Sequence, residues 1–172
     1  MMKQLAMAAL AVMMSWSSVV AQAADDDAVF SDFAGQPRSI ESYAGGGKWL
    51  VVMVWAYDCH VCNMEAEGYA QFHLAHKDKD LTMLGVSIDG QAHKADAEAF
   101  IKRHDLPFPN LLGEPETTML YYMMTTQSQF SGTPSIMVYD PQGNLVAAQA
   151  GAVPPEVIED FIAKQVAAAK AG

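Results

Sequence analysis

The stretch Trp49-Leu50-Val51-Val52-Met53-Val54-Trp55-Ala56-Tyr57-Asp58-Cys59-His60-Val61-Cys62 decides the fold. From Trp49 to Trp55 it is continuously apolar and of strand length, the signature of a strand covered on both faces. From Asp58, a reasonable N-cap, the pattern changes to helical period, with Cys62, Ala66, Tyr69, Phe72 and His73 on one stripe and an end near His76. A strand that hands over directly to a helix puts both cysteines of the chain at a helix N-terminus. Unpaired backbone N–H groups and the positive end of the macrodipole favour a thiolate there. Two cysteines so close in sequence join a loop too small to stabilise much, so their pairing reads as working chemistry rather than scaffolding. The arrangement points to thiol–disulfide exchange.

Working outward, residues 29–33, a turn at Ala34-Gly35-Gln36-Pro37 and residues 38–40 suggest a small hairpin, followed by the loop Gly45-Gly46-Gly47. Downstream, residues 81–88 form the next strand, and residues 92–104 read as a helix with Phe100 and Ile101 inward, ended by Leu106-Pro107-Phe108-Pro109. Residues 113–132 are ambiguous, with a short helix expected around 118–124 and then a loop. After Thr133-Pro134, residues 136–139, the turn Asp140-Pro141-Gln142-Gly143-Asn144 and residues 145–150 describe a β-hairpin. A last helix starts at Pro154-Pro155, with Val157, Ile158, Phe161, Ile162 and Val166 expected to pack inward. The sum is an α/β chain whose central mixed β-sheet is flanked by helices.

Residues 1–23 read as a cleavable secretory signal: Lys3 is the basic start, the apolar segment covers residues 5–14, and Ala21-Gln22-Ala23 is the cleavage site. The alternative is an uncleaved N-terminal helix that anchors the protein to a membrane, although Ser15, Ser17 and Ser18 interrupt the apolar run. Residues 24–172 then form one domain, with enough apolar content for its own core. Cleavage takes the formal charge from −10 to −11, because Lys3 is the only charged residue removed. Nucleic acid and anionic membrane surfaces are poor partners for such a chain.

A C-x-x-C within alternating strands and helices is a thioredoxin-like signal. Trp55-Ala56-x-x-Cys59-x-x-Cys62 stands after the buried strand at the spacing of the thioredoxin fold, and Thr133-Pro134 occupies the place of that fold's cis-proline loop. The upstream run Phe33-Ala34-Gly35-Gln36-Pro37-x-Ser39-Ile40-x-x-Tyr43-x-Gly45-Gly46-Gly47-Lys48 resembles the N-terminal extension of the TlpA, ResA and CcmG subgroup of secreted thioredoxin-like proteins. The similarity covers nearly all of residues 24–172, including an extra segment before the proline loop. It implies a thioredoxin-like fold with an N-terminal β-hairpin extension and a TlpA-type insert.

By that resemblance Cys59 attacks a substrate disulfide and Cys62 resolves the mixed disulfide, with no cofactor beyond the redox-active pair itself. Glu65 matches an acidic residue that relays protons for the thiols, and it lies i+3 from Cys62 and i−4 from Tyr69. Met53 stands where ordinary thioredoxins bury an aspartate; the plain alternative for Glu65 is a solvated surface residue like Glu67. Thr133 and a cis Pro134 would pair with an incoming substrate strand, and Trp55 either packs beside the dithiol or fills the core. Asp58 and His60 depart from the family pattern; their opposed effects on a thiolate make them redox-tuning candidates, and Asp58 reads equally well as a helix cap. The implied role is a periplasmic or secreted reductase, monomeric, that passes electrons from a membrane donor of the DsbD/CcdA type to protein disulfides.

Competing chemistries fit less well. A zinc site from Cys59, Cys62, His73 and His76 would need to span about 16 Å along one helix at 1.5 Å per residue. The methionines and histidines invite a copper-handling or cytochrome-assembly chaperone, yet Met53, Met83 and Met137 lie in expected core strands. No Pro-x-x-x-Thr-x-x-Cys pattern surrounds Cys59, which speaks against a peroxidase. A DsbA-like oxidase shares the fold and the C-x-x-C and differs in the direction of electron flow.

Overall fold

The computed structural model describes residues 28–171. The expected signal segment and the acidic run Asp25-Asp26-Asp27 lie outside the described residues. The elements in chain order are β1 (Phe30–Asp32), β2 (Pro37–Arg38), β3 (Trp49–Trp55), α1 (His60–His76), β4 (Leu81–Ser87), α2 (Lys94–Arg103), β5 (Asn110–Leu112), α3 (Pro115–Thr126), β6 (Ser135–Tyr139), β7 (Leu145–Ala150) and α4 (Pro155–Ala171). The strands form one sheet in the order β2-β1-β5-β4-β3-β6-β7. β3 is parallel to β4 and antiparallel to β6, so the sheet is mixed, and β3 occupies its interior as its unbroken apolar run requires.

Every residue of β3 is buried, and successive side chains serve opposite faces. Val51, Met53 and Trp55 join a core shared with Tyr69 of α1, Phe100 of α2 and Ile158 of α4. Leu50, Val52 and Val54 join a second core with Ile40 and with Tyr122 of α3. Three helices therefore cover one face, while α3 and the N-terminal extension cover the other, the thioredoxin-like architecture expected.

The expected N-terminal hairpin forms, with Phe30 opposite Arg38 and Ser31 opposite Pro37. Strand β5 was not anticipated: it runs parallel to β4 and antiparallel to β1, and so attaches the hairpin to the central sheet. Where β4 passes beneath Trp55, a side chain at Gly85 would collide with the Asn110 amide, which accepts the Trp55 indole N–H at 3.1 Å. The ambiguous segment holds a longer helix than expected, begun by Pro115 in its first turn.

Two inward assignments in α4 are corrected. Ile158 and Ile162 are buried, whereas Val157 and Val166 are exposed. The helix packs at the sheet's margin beside α1, so only a narrow stripe is covered. Ile101 on α2 is partly buried against the core, beneath which Phe100 is fully enclosed.

Candidate active site

The end of β3 delivers the chain through Ala56, Tyr57 and Asp58 to α1, and Cys59 and Cys62 are joined there in a disulfide with their Cα atoms 5.2 Å apart. The two sulfurs have different surroundings. Cys59 is half-buried, and Cys62 is completely enclosed in the core against α1's neighbours. Only the first sulfur can be approached by another protein.

Asp58 is not the helix cap. Cys59 holds that position in extended backbone conformation, and its own Sγ accepts the Cys62 N–H at 3.0 Å. The reason is registry: α1 begins at His60, so the residue before it, not the one two before, meets the free N–H groups of the first turn. Asp58 and His60 are both exposed, one on each side of Cys59.

Facing Cys59 across the site is the loop that enters β6. The Thr133–Pro134 peptide is cis, as expected, and the Thr133 carbonyl oxygen lies 3.4 Å from Cys59 Sγ. Pro134 is buried and Thr133 half-buried. The loop's other carbonyl is occupied, because Pro134 O accepts the Gly151 N–H at 2.8 Å from the end of β7.

Trp55 is fully buried under the dithiol, stacked on Phe100 with ring centroids 4.4 Å apart. Its indole is out of reach of a docking protein, so its place is in the core that supports the site. Glu65 is half-buried, in contrast to exposed Glu67, and its charge is felt by Tyr69 one turn along α1. Burial, with Glu65 adding to it, pushes the Tyr69 phenol up to about 12. His73 and His76 have other partners: buried His73 accepts the Met83 N–H at 3.2 Å, and His76 meets Asp80 and Glu159 at 3.0 Å each. Met53, Met83 and Met137 are buried, while Met64, Met119, Met123 and Met124 are exposed.

Two further residues grip the active-site loop. The Asn63 amide donates to the carbonyls of Tyr57 at 3.2 Å and Cys59 at 2.9 Å. Its oxygen accepts from His104 at 2.9 Å and Arg103 at 3.3 Å, tying the end of α2 to the start of α1. Burial, and secondarily Arg103, lowers the His104 pKa, so a neutral ring with its Nε2 proton on Asn63 is the fitting form. From the other side, the Asp89 carboxylate accepts the Tyr57 N–H. In the sequence Asp89 is only an acidic residue just past an expected strand, and the structure shows that strand to run parallel to β3. Such strand ends are where sheet-based sites assemble.

The chain matches the AhpC/TSA family over residues 20–148. Comparison with curated proteins gave no match. Among solved structures it is similar to the thioredoxin domain of a thiol-disulfide oxidoreductase from Bacteroides vulgatus, at TM-score 0.64 and 23% identity, covering 80% of this chain and 91% of that one. It is also similar to a secreted Mycobacterium tuberculosis disulfide oxidoreductase homologous to E. coli DsbE, at TM-score 0.60 and 21% identity, covering 78% and 93%. StoA from Bacillus subtilis matches at TM-score 0.60 and 18% identity, over 78% and 96%. At these identities the shared property is the fold. Together with the family match and the disulfide at the head of α1, it leads to one statement: the chain belongs to the AhpC/TSA family and has a thioredoxin-like fold built around a redox-active Cys59–Cys62 disulfide.

Proposed function

We propose that the protein is a periplasmic or secreted thiol:disulfide oxidoreductase that works as a reductase of protein disulfides. The observation that carries the reading is the unequal exposure of the two sulfurs: half-buried Cys59 caps α1 against the cis-proline loop, and Cys62 is sealed in the core. In the reduced protein, Cys59 attacks a substrate disulfide and forms a mixed disulfide, releasing the substrate's other sulfur as a thiolate. Cys62 then attacks Cys59 Sγ, which restores the intramolecular disulfide and frees the second substrate thiol. Two electrons pass from the protein to the substrate, and a dithiol donor must return them. A membrane donor of the DsbD/CcdA type fits that need.

The N-terminus of α1 supports the first step. The Cys62 N–H already points at Cys59 Sγ, and an N–H aimed at a sulfur favours its anionic form. Glu65 is the proton acceptor for Cys62 in this scheme, while Thr133 and Pro134 form the edge to which an extended substrate segment pairs. Asp58 and His60 tune the equilibrium from the rim. The protein acts as a monomer, with the N-terminal segment directing export. Membership of the AhpC/TSA family does not by itself assign peroxide chemistry, since Cys59 lacks the Pro-x-x-x-Thr-x-x-Cys setting.

Insulin reduction by dithiothreitol tests the reading. The wild type should accelerate it, Cys59→Ser should not, and Cys62→Ser should accumulate a mixed disulfide through Cys59. A wild type without activity, or trapping through Cys62 in the Cys59 variant, would overturn it.

A further inference from the structure

Asp89 is 9% exposed, yet it is a carboxylate whose bonds come from neutral groups. Both oxygens accept from the Tyr57 N–H, at 3.1 and 3.3 Å, and Oδ2 also accepts the Ser87 hydroxyl proton at 2.6 Å. The Asp89 N–H returns a bond to Ser87 Oγ at 3.1 Å, which fixes the side chain's approach. Among the described residues no lysine or arginine forms an ion pair with it. The parallel register places Trp55 beside Ser87, so β3 and β4 end together and Asp89 lies under the loop that β3 sends to Cys59. The carboxylate is thus bound to the N–H of Tyr57, two residues before the nucleophile, without a lysine or arginine partner.

The charged groups facing it are few. Asp58 stands on the same loop, and His93 faces it from the turn before α2, where its Nδ1 is 3.1 Å from Asp96. Burial raises the Asp89 pKa, and Asp58 adds to that; Ser87, Tyr57 and His93 act in the opposite direction.

Resting on the reading of the protein as a thiol:disulfide oxidoreductase, we infer that Asp89 is a positioning residue whose charge sets the redox equilibrium and acid–base behaviour of Cys59. One Cys59–Cys62 disulfide and two glutathione thiols give the dithiol and one glutathione disulfide, a transfer of two electrons and two protons. Once the dithiol forms, Cys59 can lose its proton to solvent. A fixed carboxylate beneath the loop opposes the negative sulfur, whereas it has no comparable effect on the neutral disulfide. Asp89 therefore biases the pair toward the oxidised state and makes the reduced protein the stronger electron donor. This bias matches the reductase direction.

The test uses Asp89→Asn, which keeps an acceptor oxygen for Tyr57 and removes the charge. The reduced proteins are alkylated with uncharged iodoacetamide from pH 5 to pH 10. For the variant, the pH–rate profile should move to lower pH, with a rate at pH 6 at least threefold above wild type and a common alkaline plateau. In a glutathione buffer at pH 7, at least a threefold shift toward the dithiol is expected, equivalent to ~14 mV for this two-electron couple. A merely structural Asp89 would change the rate by the same factor at every pH, plateau included. That result or superimposed profiles would overturn the inference. A wild type that neither exchanges with glutathione nor reduces insulin would instead overturn the oxidoreductase reading beneath it.

Discussion

Deleting one oxygen, in Tyr69→Phe, measures how the helix that carries Cys62 is fastened to the rest of the fold. The Tyr69 ring is fully buried, and its hydroxyl donates to the Val153 carbonyl at 2.8 Å and accepts the Val153 N–H at 3.4 Å. Val153 is itself buried, just ahead of α4, so phenylalanine leaves two backbone groups without partners. An unsatisfied buried polar group costs about 1–3 kcal/mol. The longer bond contributes at the low end, so the loss should be roughly 2–3 kcal/mol, a fall in Tm of roughly 5–10 °C for a domain of this size. A second signature comes from titration. Burial holds the phenol at about 12, against its ordinary value of 10.0. The unfolded chain therefore releases this proton first, and the stability tied to it is fully present below pH 10 and lost as pH rises toward about 12. At pH 11 about 1.4 kcal/mol of it should be gone, so the gap between wild type and Tyr69→Phe should narrow by that amount relative to pH 8. Urea denaturation of the oxidised proteins, followed by tryptophan fluorescence, gives both numbers. A gap below about 0.5 kcal/mol at pH 8, less than a single net hydrogen bond, would refute the anchoring. A gap that does not narrow by pH 11 would refute the titration argument.

Glu65→Gln should preserve the fold and alter the pH dependence of thiol alkylation, with a rate change at pH 7 of roughly two- to tenfold; overlapping profiles would return Glu65 to the surface. Asp58→Asn leaves the helix cap in place, because Cys59 supplies it, and should make the disulfide more oxidising by on the order of 10–20 mV for an exposed charge. An unchanged or more negative potential in a glutathione buffer would refute that account. Burial disfavours a charged His76, but the hydrogen bonds its ring donates to Asp80 and Glu159 outweigh it and raise the pKa. The stability from this clamp is present below the ordinary histidine range and is lost as pH rises through the folded value, so His76→Gln should cost about 1 kcal/mol near pH 6 and less near pH 9. Urea melts at the two pH values decide it, and an equal loss at both would refute the clamp.

Elements defined by their own composition were readable in the sequence. The β3 run matches the structure residue for residue, and the β6–β7 hairpin is only slightly wider than expected. Strand β5 was not readable, since Asn110-Leu111-Leu112 between Pro109 and Gly113 becomes a strand only through its two neighbours. Periodicity placed Val157 and Val166 inward because it marks a face, whereas the width of the buried stripe depends on what α4 lies against. The dithiol and the proline loop were legible as motifs. Asn63 and Asp89 were not, because their roles depend on α2 returning over the first turn of α1 and on β3 and β4 ending side by side. The one-residue error at the head of α1 has a similar origin: residue type points to Asp58 as the cap, and the sulfur that caps is identified only by geometry.

Because Cys59 Sγ is both half of the redox-active disulfide and the cap of α1, redox change at that atom and folding of that helix share one thermodynamic cycle. The difference in unfolding free energy between the reduced and oxidised proteins must equal the difference in reduction free energy between the folded and unfolded dithiols. Two denaturation curves, one for each redox state, thus report how far the fold displaces the potential of the pair, with ~30 mV corresponding to ~1.4 kcal/mol. Evolution could then move this potential without touching the site: any substitution that steadies the first turn of α1 in one redox state more than in the other is also a change in the reduction potential of the pair.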